Sequence, residues 1–387
     1  MLIRYKQDEQ GNTLPIANIY TQTEHKIQTQ KIDRDALWVI KKLQSSGAEA
    51  YLVGGAVRDL MLGNVPKDFD IATSASPRQV QRLFYNARII GRRFKLVHLV
   101  FKDKVLEVST FRSGEEAEDG SNNVFGSIDQ DAKRRDFSIN SFYYDPSNGQ
   151  LLDFNNAMED IKKKRISSVI PLDESFNEDP VRMIRAIKYA IITGFSLRFQ
   201  VRVALKKYAP ELSRISSSRL TEELSKILAS GYSQKIFEEL KRYRVLPFMM
   251  PAFTIYSSYP QVKDSLRTLD KKMLGLKNGN GAEQIEFADQ LKALVDPLIV
   301  FSDASMSPSD RFKETFRQIK VLISPMTPSN YDVERTAALI LSERGFKTPR
   351  NAVRRPPQPQ RRGGPMPKSR GTTQKRKRPP TKQRKEA

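Results

Sequence analysis

The spacing of apolar positions changes along the chain, and each change predicts a different kind of element. Between Ile32 and Leu43 apolar side chains recur at helical intervals, which predicts a short amphipathic helix. Ala50–Val53 is an uninterrupted apolar run that predicts a strand, and it ends in two glycines. The same criteria predict helices at 57–62 and 77–84 and strands at 69–72, 88–90, 96–101 and 105–111. This order of elements predicts a small mixed α/β domain with an exposed sheet face.

The second half of the chain is patterned as helices. Asp179 and Pro180 predict a helix start, as N-cap and first-turn proline, and Gly194 predicts the end of that helix. Further helices are predicted at 220–228 and 233–240, and the pattern is helical from 260 to 341. We therefore expect an α+β fold in which a small mixed-sheet head precedes an all-helical neck and body. The expected boundaries are a polar N-terminal arm at 1–31, the head at 32–165, the neck at 166–232, the body at 233–346 and a tail at 347–387.

Composition narrows the function classes. The 387 residues are 39% hydrophobic, and 66 Lys and Arg against 44 Asp and Glu give a net charge of +22, which points to a polyanionic partner. The absence of cysteine excludes disulfides, thiolate zinc sites and cysteine nucleophiles, and two histidines, His25 and His98, argue against triads and multi-histidine metal centres. No apolar run reaches the ~18 residues of a membrane span, and the polar first ten residues predict no secretory signal. We expect a soluble, cytoplasmic protein whose chemistry uses carboxylates.

Most of the excess charge lies at the C-terminus. Lys347–Ala387 holds 15 Lys or Arg and one acid, so this segment carries +14 and the other 346 residues carry +8. Because it has few large apolar side chains, we expect this tail to be disordered and to bind nucleic-acid phosphates, the alternative being a solubilising tail. The candidate phosphate ligands are the clustered basic residues Arg354, Arg355, Arg361, Arg362, Lys375, Arg376, Lys377 and Arg378. A second polar segment, 112–124, predicts a mobile surface loop.

Two aspartates form the first candidate for chemistry. Asp68 and Asp70 are separated by one residue on a predicted strand, so their carboxylates should project from the same face. Two carboxylates held this close favour a divalent cation between them, and Mg²⁺ with oxygen ligands suits in-line phosphoryl displacement. Glu107, in the strand at 105–111, is a further candidate ligand. An isolated pair of this kind is more often a solvated turn.

A glycine pair strengthens the interpretation. Gly54 and Gly55, between a strand and a helix, permit close approach of the backbone to a ligand, with Arg58 one turn further along. The alternative is a tight turn with Arg58 and Asp59 as a surface ion pair. No GxxxxGK[ST] segment occurs, which excludes a P-loop NTPase.

These residues lie in motifs that resemble a known family. Leu52–Asp59 and Lys67–Thr73, followed by Lys133–Asn140 and Glu178–Ala186, are similar in order and spacing to the class II nucleotidyltransferases, which are the bacterial poly(A) polymerases and the CCA-adding tRNA nucleotidyltransferases. The similarity extends over Ala50–Phe248, about half of the chain.

The resemblance implies a role for each matching residue. Asp68 and Asp70 would bind Mg²⁺, and Asp136 would be a further acidic catalytic residue. The residues implied in nucleotide binding are Gly54, Gly55, Arg58, Arg135, Asn140, Asp179, Arg182 and Arg185. Among these, Asp179 and Arg182 would recognise the base edge in place of a template. Arg182, Arg185 and Lys188 form a basic stripe at helical spacing, for which the alternative is a solvated helix face.

Three further segments are similar to the poly(A) polymerases rather than to the CCA-adding enzymes. They are Ile89–His98, Phe125–Ile128 and the region from Gly231 to Phe248. The resemblance therefore implies an RNA adenylyltransferase that uses ATP with Mg²⁺ and acts on RNA 3′ ends. We expect a monomer with no membrane association, and RNA-decay or RNA-chaperone proteins are candidate partners. The alternatives are a CCA-adding enzyme and a non-catalytic RNA-binding protein on an inactive head.

Overall fold

A nine-stranded sheet and a helical region make up the computed structural model. It describes residues 2–8, 10–91, 96–102, 104–113, 124–277, 285–301 and 305–354. Most of the loop predicted at 112–124 and most of the predicted tail lie outside these residues. The α+β fold, with a mixed-sheet head followed by helices, is confirmed.

The head is built on one large mixed sheet. Its strands are β1 (Leu2–Gln7), β2 (Thr13–Tyr20), β3 (Ala50–Val53), β4 (Asp70–Thr73), β5 (Ala87–Ile90), β6 (Leu96–Val100), β7 (Val105–Thr110), β8 (Tyr143–Asp145) and β9 (Gln150–Asp153). They are ordered β1-β2-β9-β8-β3-β4-β7-β6-β5. All neighbouring pairs are antiparallel except β4 and β7. A separate two-stranded parallel sheet pairs β10 (Arg165–Ile166) with β11 (Ser196–Leu197).

The N-terminal segment corrects one prediction. Residues 1–31 were expected to form a polar arm outside the head, but β1 and β2 form a hairpin that extends the head sheet, because β2 pairs with β9. The burial pattern explains why the sequence did not indicate strands. β1 is exposed at almost every position, so it has no apolar alternation that would mark it.

Helices account for most of the other described residues. They are α1 (Gln22–His25), α2 (Arg34–Ser45), α3 (Gly55–Met61), α4 (Pro77–Leu83), α5 (Ile128–Lys133), α6 (Ala157–Lys162), α7 (Leu172–Glu178), α8 (Val181–Thr193), α9 (Phe199–Tyr208), α10 (Ser217–Leu228), α11 (Ser233–Arg242), α12 (Leu246–Met249), α13 (Pro251–Tyr256), α14 (Pro260–Lys277), α15 (Phe287–Val295), α16 (Pro308–Ile323) and α17 (Asn330–Glu343). Short 3₁₀ segments lie at 29–31, 138–140, 209–214 and 296–298. No described helix is both long and apolar enough to cross a membrane.

The two faces of the head sheet are covered differently. One face packs against α2, α3, α4 and α6 through a cluster that includes Leu52, Ile71 and Val108. The opposite face packs against α5 through a smaller cluster that includes Val53 and Ala72. The alternation of Leu52 and Val53 between the two clusters is the period-two pattern of a strand that is buried on both sides. The carboxylate of Asp70 lies on the α5 face, because it shares that face with Ala72 two residues later.

The helical part has one continuous apolar core. A single cluster of buried side chains extends from Phe137 and Ile166 to Leu341, so the predicted neck and body share it. Two element boundaries also differ from prediction. β4 begins at Asp70, which leaves Asp68 in the bend before the strand, and α8 begins at Val181 with Pro180 rather than Asp179 at the N-cap position.

Candidate active site

A cavity of about 490 Å³ lies between the head and the first helices of the helical region. It is lined by Gly54, Gly55, Ala56, Arg58, Asp59, Lys67, Asp68, Asp70, Arg134, Arg135, Asp136, Asn140, Asp179, Arg182, Arg185, Lys188, Tyr189 and Lys226. Every nucleotide-binding and catalytic residue named from the sequence is among them. Eight lining residues are Lys or Arg and five are Asp, so the wall is rich in both charges and positive overall. Such a cavity is suited to a polyphosphate that carries its own cation.

The acidic pair lies at the entrance of β4. Asp70 is paired in register with Val53 on one side and with Glu107 on the other, and Asp68 lies in the preceding bend. Partial burial between the cavity walls and the negative charge of Glu107 raise the pKa of Asp70 to about 6. Neither Asp68 nor Asp70 forms an ion pair with another described residue, unlike most charged groups of the cavity.

This uncompensated negative charge fits a divalent cation. Among the described residues no group of three or more acidic or histidine side chains is placed to hold a metal. Mg²⁺ does not require such a group, since it often binds through one or two carboxylates together with substrate phosphates and water. Asp68 and Asp70 would therefore hold the ion only in part, and the nucleotide would complete its coordination.

The turn before α3 requires glycine at one of its two positions, Gly54, because of the backbone conformation there. Gly54 has φ +69° and ψ −138°, a region that only glycine adopts without strain, and a β-carbon there would lie 3.5 Å from Asp70 Oδ2. Gly55 begins α3 and has no such restriction. The turn therefore brings the backbone directly beside the acidic pair.

Arg58 both forms an ion pair with Asp59 and lines the cavity, which were alternatives in the sequence analysis. Its Nε and Nη2 donate to Asp59 Oδ1, which is the ion pair of the alternative interpretation. Its Nη1 donates to Asn140 Oδ1 at 2.9 Å, and the side chain is only 8% exposed while lining the cavity. The guanidinium is therefore held in a fixed orientation at the cavity wall and is not a surface group.

Asp136 connects the head with the helical region. Arg185 donates from Nε and Nη2 to Asp136 Oδ2 at 2.8 and 2.7 Å, and Phe137 N and Asn140 Nδ2 donate to Oδ1. Burial alone would raise the pKa of Asp136, but the charge and hydrogen bonds of Arg185 outweigh burial and hold the pKa below its usual value. Both carboxylate oxygens are thus occupied by protein donors. The sequence placed Asp136 among the catalytic acids, and in the structure these donors hold its carboxylate at the cavity wall.

A second buried carboxylate orients the neighbouring arginines. Asp131 on α5 is 2% exposed and binds Arg134 and Arg135 with Nη2 to oxygen distances of 2.7 and 2.8 Å. Tyr143 donates its hydroxyl to the same carboxylate, and Arg135 lies over the Tyr143 ring. Sequence analysis did not identify Asp131, although its spacing of three and four residues from the two arginines was an available signal.

The basic stripe of α8 faces the cavity, so the alternative of a solvated face is wrong. Arg182, Arg185 and Lys188 all line the cavity, and Ile184 and Ile187 on the opposite side are buried. Arg182 donates to Glu178 at 2.8 Å, next to Asp179 in the cavity wall. Asp179 accepts from Arg219 Nη2 at 2.8 Å. The two groups named for base recognition are therefore adjacent and differently charged.

Glu223 of α10 is a further residue that the sequence did not indicate. It is 4% exposed, and its carboxylate binds Lys188 at 2.6 Å with Lys226 and Arg185 at 3.5 and 4.0 Å. Burial raises its pKa, but these three cations outweigh burial and lower the pKa overall. Tyr189 lies beside the same group, with the guanidinium carbons of Arg58 and Arg185 5.1 and 5.2 Å from its ring centre.

The predicted phosphate ligands of the tail fall mostly outside the described residues. Of these eight residues only Arg354 is described, and its Nε pairs with Glu334 at 3.1 Å while the side chain is 70% exposed. The other seven lie outside the described residues.

Two family models match the chain. Residues 50–167 match the poly A polymerase head domain, and residues 194–256 match a probable RNA and SrmB-binding site of polymerase A. The first match spans β3 to β10, the glycine turn, and Asp59, Asp68, Asp70 and Asp136 of the cavity. The second covers α9 to α13.

Similar proteins fall into two groups. The chain is 38% identical to Poly(A) polymerase I of Escherichia coli O6:H1 over 262 residues, which cover 64% of this chain and 56% of that protein. It is 39% identical to the CCA-adding enzyme of Geobacillus kaustophilus over 201 residues, which cover 51% of this chain and 50% of that protein. The chain thus spans little more than half the length of these curated relatives. Its fold is similar to the Bacillus stearothermophilus CCA-adding enzyme in complex with CTP, with a TM-score of 0.53, 25% identity and coverage of 81% of this chain and 78% of that one.

Proposed function

We propose that this chain, which belongs through residues 50–167 to the poly A polymerase head-domain family, is a template-independent RNA nucleotidyltransferase. It adds AMP from ATP to the 3′ ends of RNA. The observation that carries this proposal is the joining, in one cavity, of an uncompensated carboxylate pair with eight cationic side chains. That combination suits a nucleoside triphosphate together with its cation better than it suits a neutral ligand.

In the proposed reaction the 3′-hydroxyl oxygen of the RNA attacks the α-phosphorus of ATP. A new oxygen–phosphorus bond forms, the bond to pyrophosphate breaks, and the hydroxyl proton is released. Mg²⁺ held by Asp68 and Asp70 would supply activation of the hydroxyl and stabilisation of the leaving oxygen. Arg58 and Arg135 would bind the triphosphate, each already held by a carboxylate so that little reorganisation is needed.

Base selection falls to the wall formed by α7 and α8. Asp179 can accept a hydrogen bond from an exocyclic amino group, and Arg182 can donate to a ring nitrogen. The surrounding ion pairs restrict both side chains, since Arg219 holds Asp179 and Glu178 holds Arg182. Lys188 lies further along α8, and its ion pair with Glu223 of α10 fixes the orientation of the two helices relative to each other.

Adenylate addition is preferred over CCA addition because the similarity to the poly(A) polymerases extends further along the chain. The match to the Escherichia coli protein covers 64% of this chain and the match to the Geobacillus kaustophilus CCA-adding enzyme covers 51%, at nearly equal identity. A CCA-adding enzyme is the second candidate, and it is favoured by the fold similarity to an enzyme solved with CTP.

The deciding experiment is nucleotide incorporation by the purified full-length chain with Mg²⁺. Labelled ATP and labelled CTP are offered separately to an oligo(A) primer and to a tRNA that lacks its terminal CCA. Long ladders with ATP alone on oligo(A) are expected. CTP incorporation on the tRNA that stops after completion of CCA would establish the second candidate, and no incorporation on either substrate would favour a non-catalytic RNA-binding protein.

Variants of the acidic pair test the site assignment. Asp68→Ala or Asp70→Ala is expected to abolish incorporation while leaving RNA affinity largely intact. Asp173→Ala is a matched control, because Asp173 lies on α7 and is not among the residues that line the cavity. Retained turnover in either cavity variant would contradict the metal assignment.

A further inference from the structure

The face of the head sheet that carries Asp70 is only partly covered. α5 packs over its inner strands, in the cluster that contains Val53 and Tyr143. Of the described elements, α4 makes the main helix contacts with the outer strands β5 and β6. α4 belongs to the apolar cluster of the opposite face. On the α5 side, Arg88, Ile90 and Val105 at the outer end are exposed, while the charges of Lys226 and Glu222 on α10 lie near Glu107 at the cavity end.

A row of polar side chains crosses this open face. Strand register pairs Asp70 with Glu107, Glu107 with His98, and His98 with Arg88. Directly paired residues project from the same face, so these four side chains form one continuous row. His98 Nε2 lies 3.8 Å from Glu107 Oε2, as this arrangement requires. With strands about 4.8 Å apart, the row extends about 14 Å from the carboxylate pair to the edge of the sheet.

Apolar side chains flank the row on the same face. Ile90 follows Arg88 by two residues on β5, and Val105 precedes Glu107 by two residues on β7. The two are 43% and 52% exposed, which is unusual for side chains of this type within a sheet. The face thus offers cationic, polar and apolar contacts side by side, which is the combination that a single nucleic-acid strand presents in its phosphates, sugars and bases.

Charge changes sign along the row. The cavity end carries two carboxylates, whereas the outer end carries Arg88, which is exposed and forms no ion pair with the described residues. Residues 71–101 contain no Asp or Glu at all, so nothing in that stretch offsets the positive charge of β5. This order of charges fits an RNA strand whose 3′-hydroxyl lies at the cation site. Its phosphates would then extend away from the carboxylates towards Arg88.

We infer that the open face of β5, β6 and β7 binds the 3′-terminal nucleotides of the RNA primer, with Arg88 on a backbone phosphate and Ile90 and Val105 against the sugars and bases. This surface belongs to the head, and only its cavity end approaches Lys226 and Glu222 of residues 194–256, the segment that matches the RNA-binding model. The inference rests on the proposed function, because it requires the primer end to lie at Asp70. It accounts for how a cavity sized for one nucleotide can also receive the end of a long polymer.

The experiment compares Arg88→Glu with Arg78→Glu in the full-length chain. Arg78 is exposed on α4, on the opposite side of the sheet, so it makes the same charge change without touching the row. We expect Arg88→Glu to raise the KM for an oligo(A) primer about tenfold, since loss of one charge-assisted contact costs about 1.5 kcal/mol. The KM for ATP should stay within twofold of the wild-type value, and Arg78→Glu should resemble the wild type in both.

Primer length and salt provide readouts that a folding defect would not change in the same way. With a dinucleotide primer, which is too short to reach Arg88, the Arg88→Glu variant should match the wild type. With oligo(A), the slope of log affinity against log salt should become shallower by about 0.7 for one lost phosphate contact. Ile90→Ser should weaken oligo(A) binding without changing that slope.

Each opposing outcome has a distinct meaning. If the wild type extends the primer and Arg88→Glu does so with an unchanged KM for the primer, the inference fails while the proposed function stands. If the wild type neither extends nor binds the primer, both fail. An equal loss for Arg88→Glu with the dinucleotide and with oligo(A) also overturns the inference, because it would place the effect at the cavity.

Discussion

Asp70 and Asp136 line the same cavity, yet replacing each by asparagine should change stability in opposite directions. Asp70 has a raised pKa, so its ionised form is disfavoured in the folded protein. Asp136 has a lowered pKa, so its ionised form is favoured. Neutralising Asp70 should therefore stabilise the fold at neutral and alkaline pH, and neutralising Asp136 should destabilise it.

The magnitudes follow from the environment of each carboxylate. A rise of the Asp70 pKa from 3.8 to about 6 corresponds to at most about 3 kcal/mol. Because the side chain is exposed to the cavity solvent, screening reduces this to about 1 kcal/mol. Asp136 is 10% exposed and holds Arg185 through two contacts, so its loss leaves a half-buried cation and should cost about 3 kcal/mol.

The stability differences between the wild type and the two variants should also change differently with pH. Asp70 is protonated in both states below about pH 4, so Asp70→Asn should equal the wild type there and gain its advantage as pH rises from 4 to 6. The stability that Asp136 contributes is present above about pH 4 and is lost as pH falls through its lowered folded pKa. The deficit of Asp136→Asn should accordingly narrow at acidic pH.

The assay is chemical denaturation of the wild type and both variants at pH 8 and at about pH 3, below the ordinary carboxyl pKa of 3.8, with a chelator present to remove divalent cations. Adding Mg²⁺ at pH 8 should stabilise the wild type and not Asp70→Asn. Loss of stability in Asp70→Asn at pH 8 would contradict this prediction, as would equal effects of the two substitutions at both pH values. Activity should be lost in Asp70→Asn even though the fold is strengthened.

Three further predictions concern the turn, the helical wall and the tail. Gly54→Ala should lower the free energy of unfolding by about 2 kcal/mol and reduce incorporation. Gly63 has a similar φ of +79° but a β-carbon there would have nothing within 4 Å, so Gly63→Ala should lower stability alone. Denaturation and incorporation assays check both variants. Glu223→Gln should destabilise the fold by about 3 kcal/mol and raise the KM for ATP, because it leaves Lys188 buried without a carboxylate, and equal stability to the wild type would contradict the assignment. Removing residues 355–387 should weaken RNA binding and flatten its salt dependence with little change in ATP affinity, and an unchanged salt slope would argue against RNA binding by this segment.

The sequence determined the elements whose signals are local. The apolar run at Ala50–Val53, the αL-compatible Gly194 and the separation of α10 from α11 by Gly231 each predicted a boundary close to the observed one. These predictions succeeded because strand and helix periodicity and glycine conformation act over a few residues. The catalytic and nucleotide-binding residues that the motifs predicted all line the cavity, although Tyr189 and Lys226, which also line it, lie outside the four motifs.

The tertiary structure decided what depends on distant partners. β1 and β2 joined the sheet through β9, more than 100 residues away, and no local apolar pattern marked them. Asp136 was named as a catalytic acid by its motif, and only the fold shows that Arg185, 49 residues later, binds its carboxylate. Asp131 and Glu223 were not predicted, because the sequence does not show which carboxylates become buried when the chain folds.

The residue types alone therefore indicate the kind of chemistry that we propose for this chain. The residue types, their spacing and the excess of positive charge point to a metal-assisted phosphoryl transfer on a nucleic acid. Only the folded structure decided which charges remain available for it, because ion pairing is set by distances of a few ångströms between elements that are far apart in sequence. Asp70 keeps its carboxylate open to a cation while Asp136 does not, and the register of β4, β7, β6 and β5 turns four scattered residues into one row beside the site.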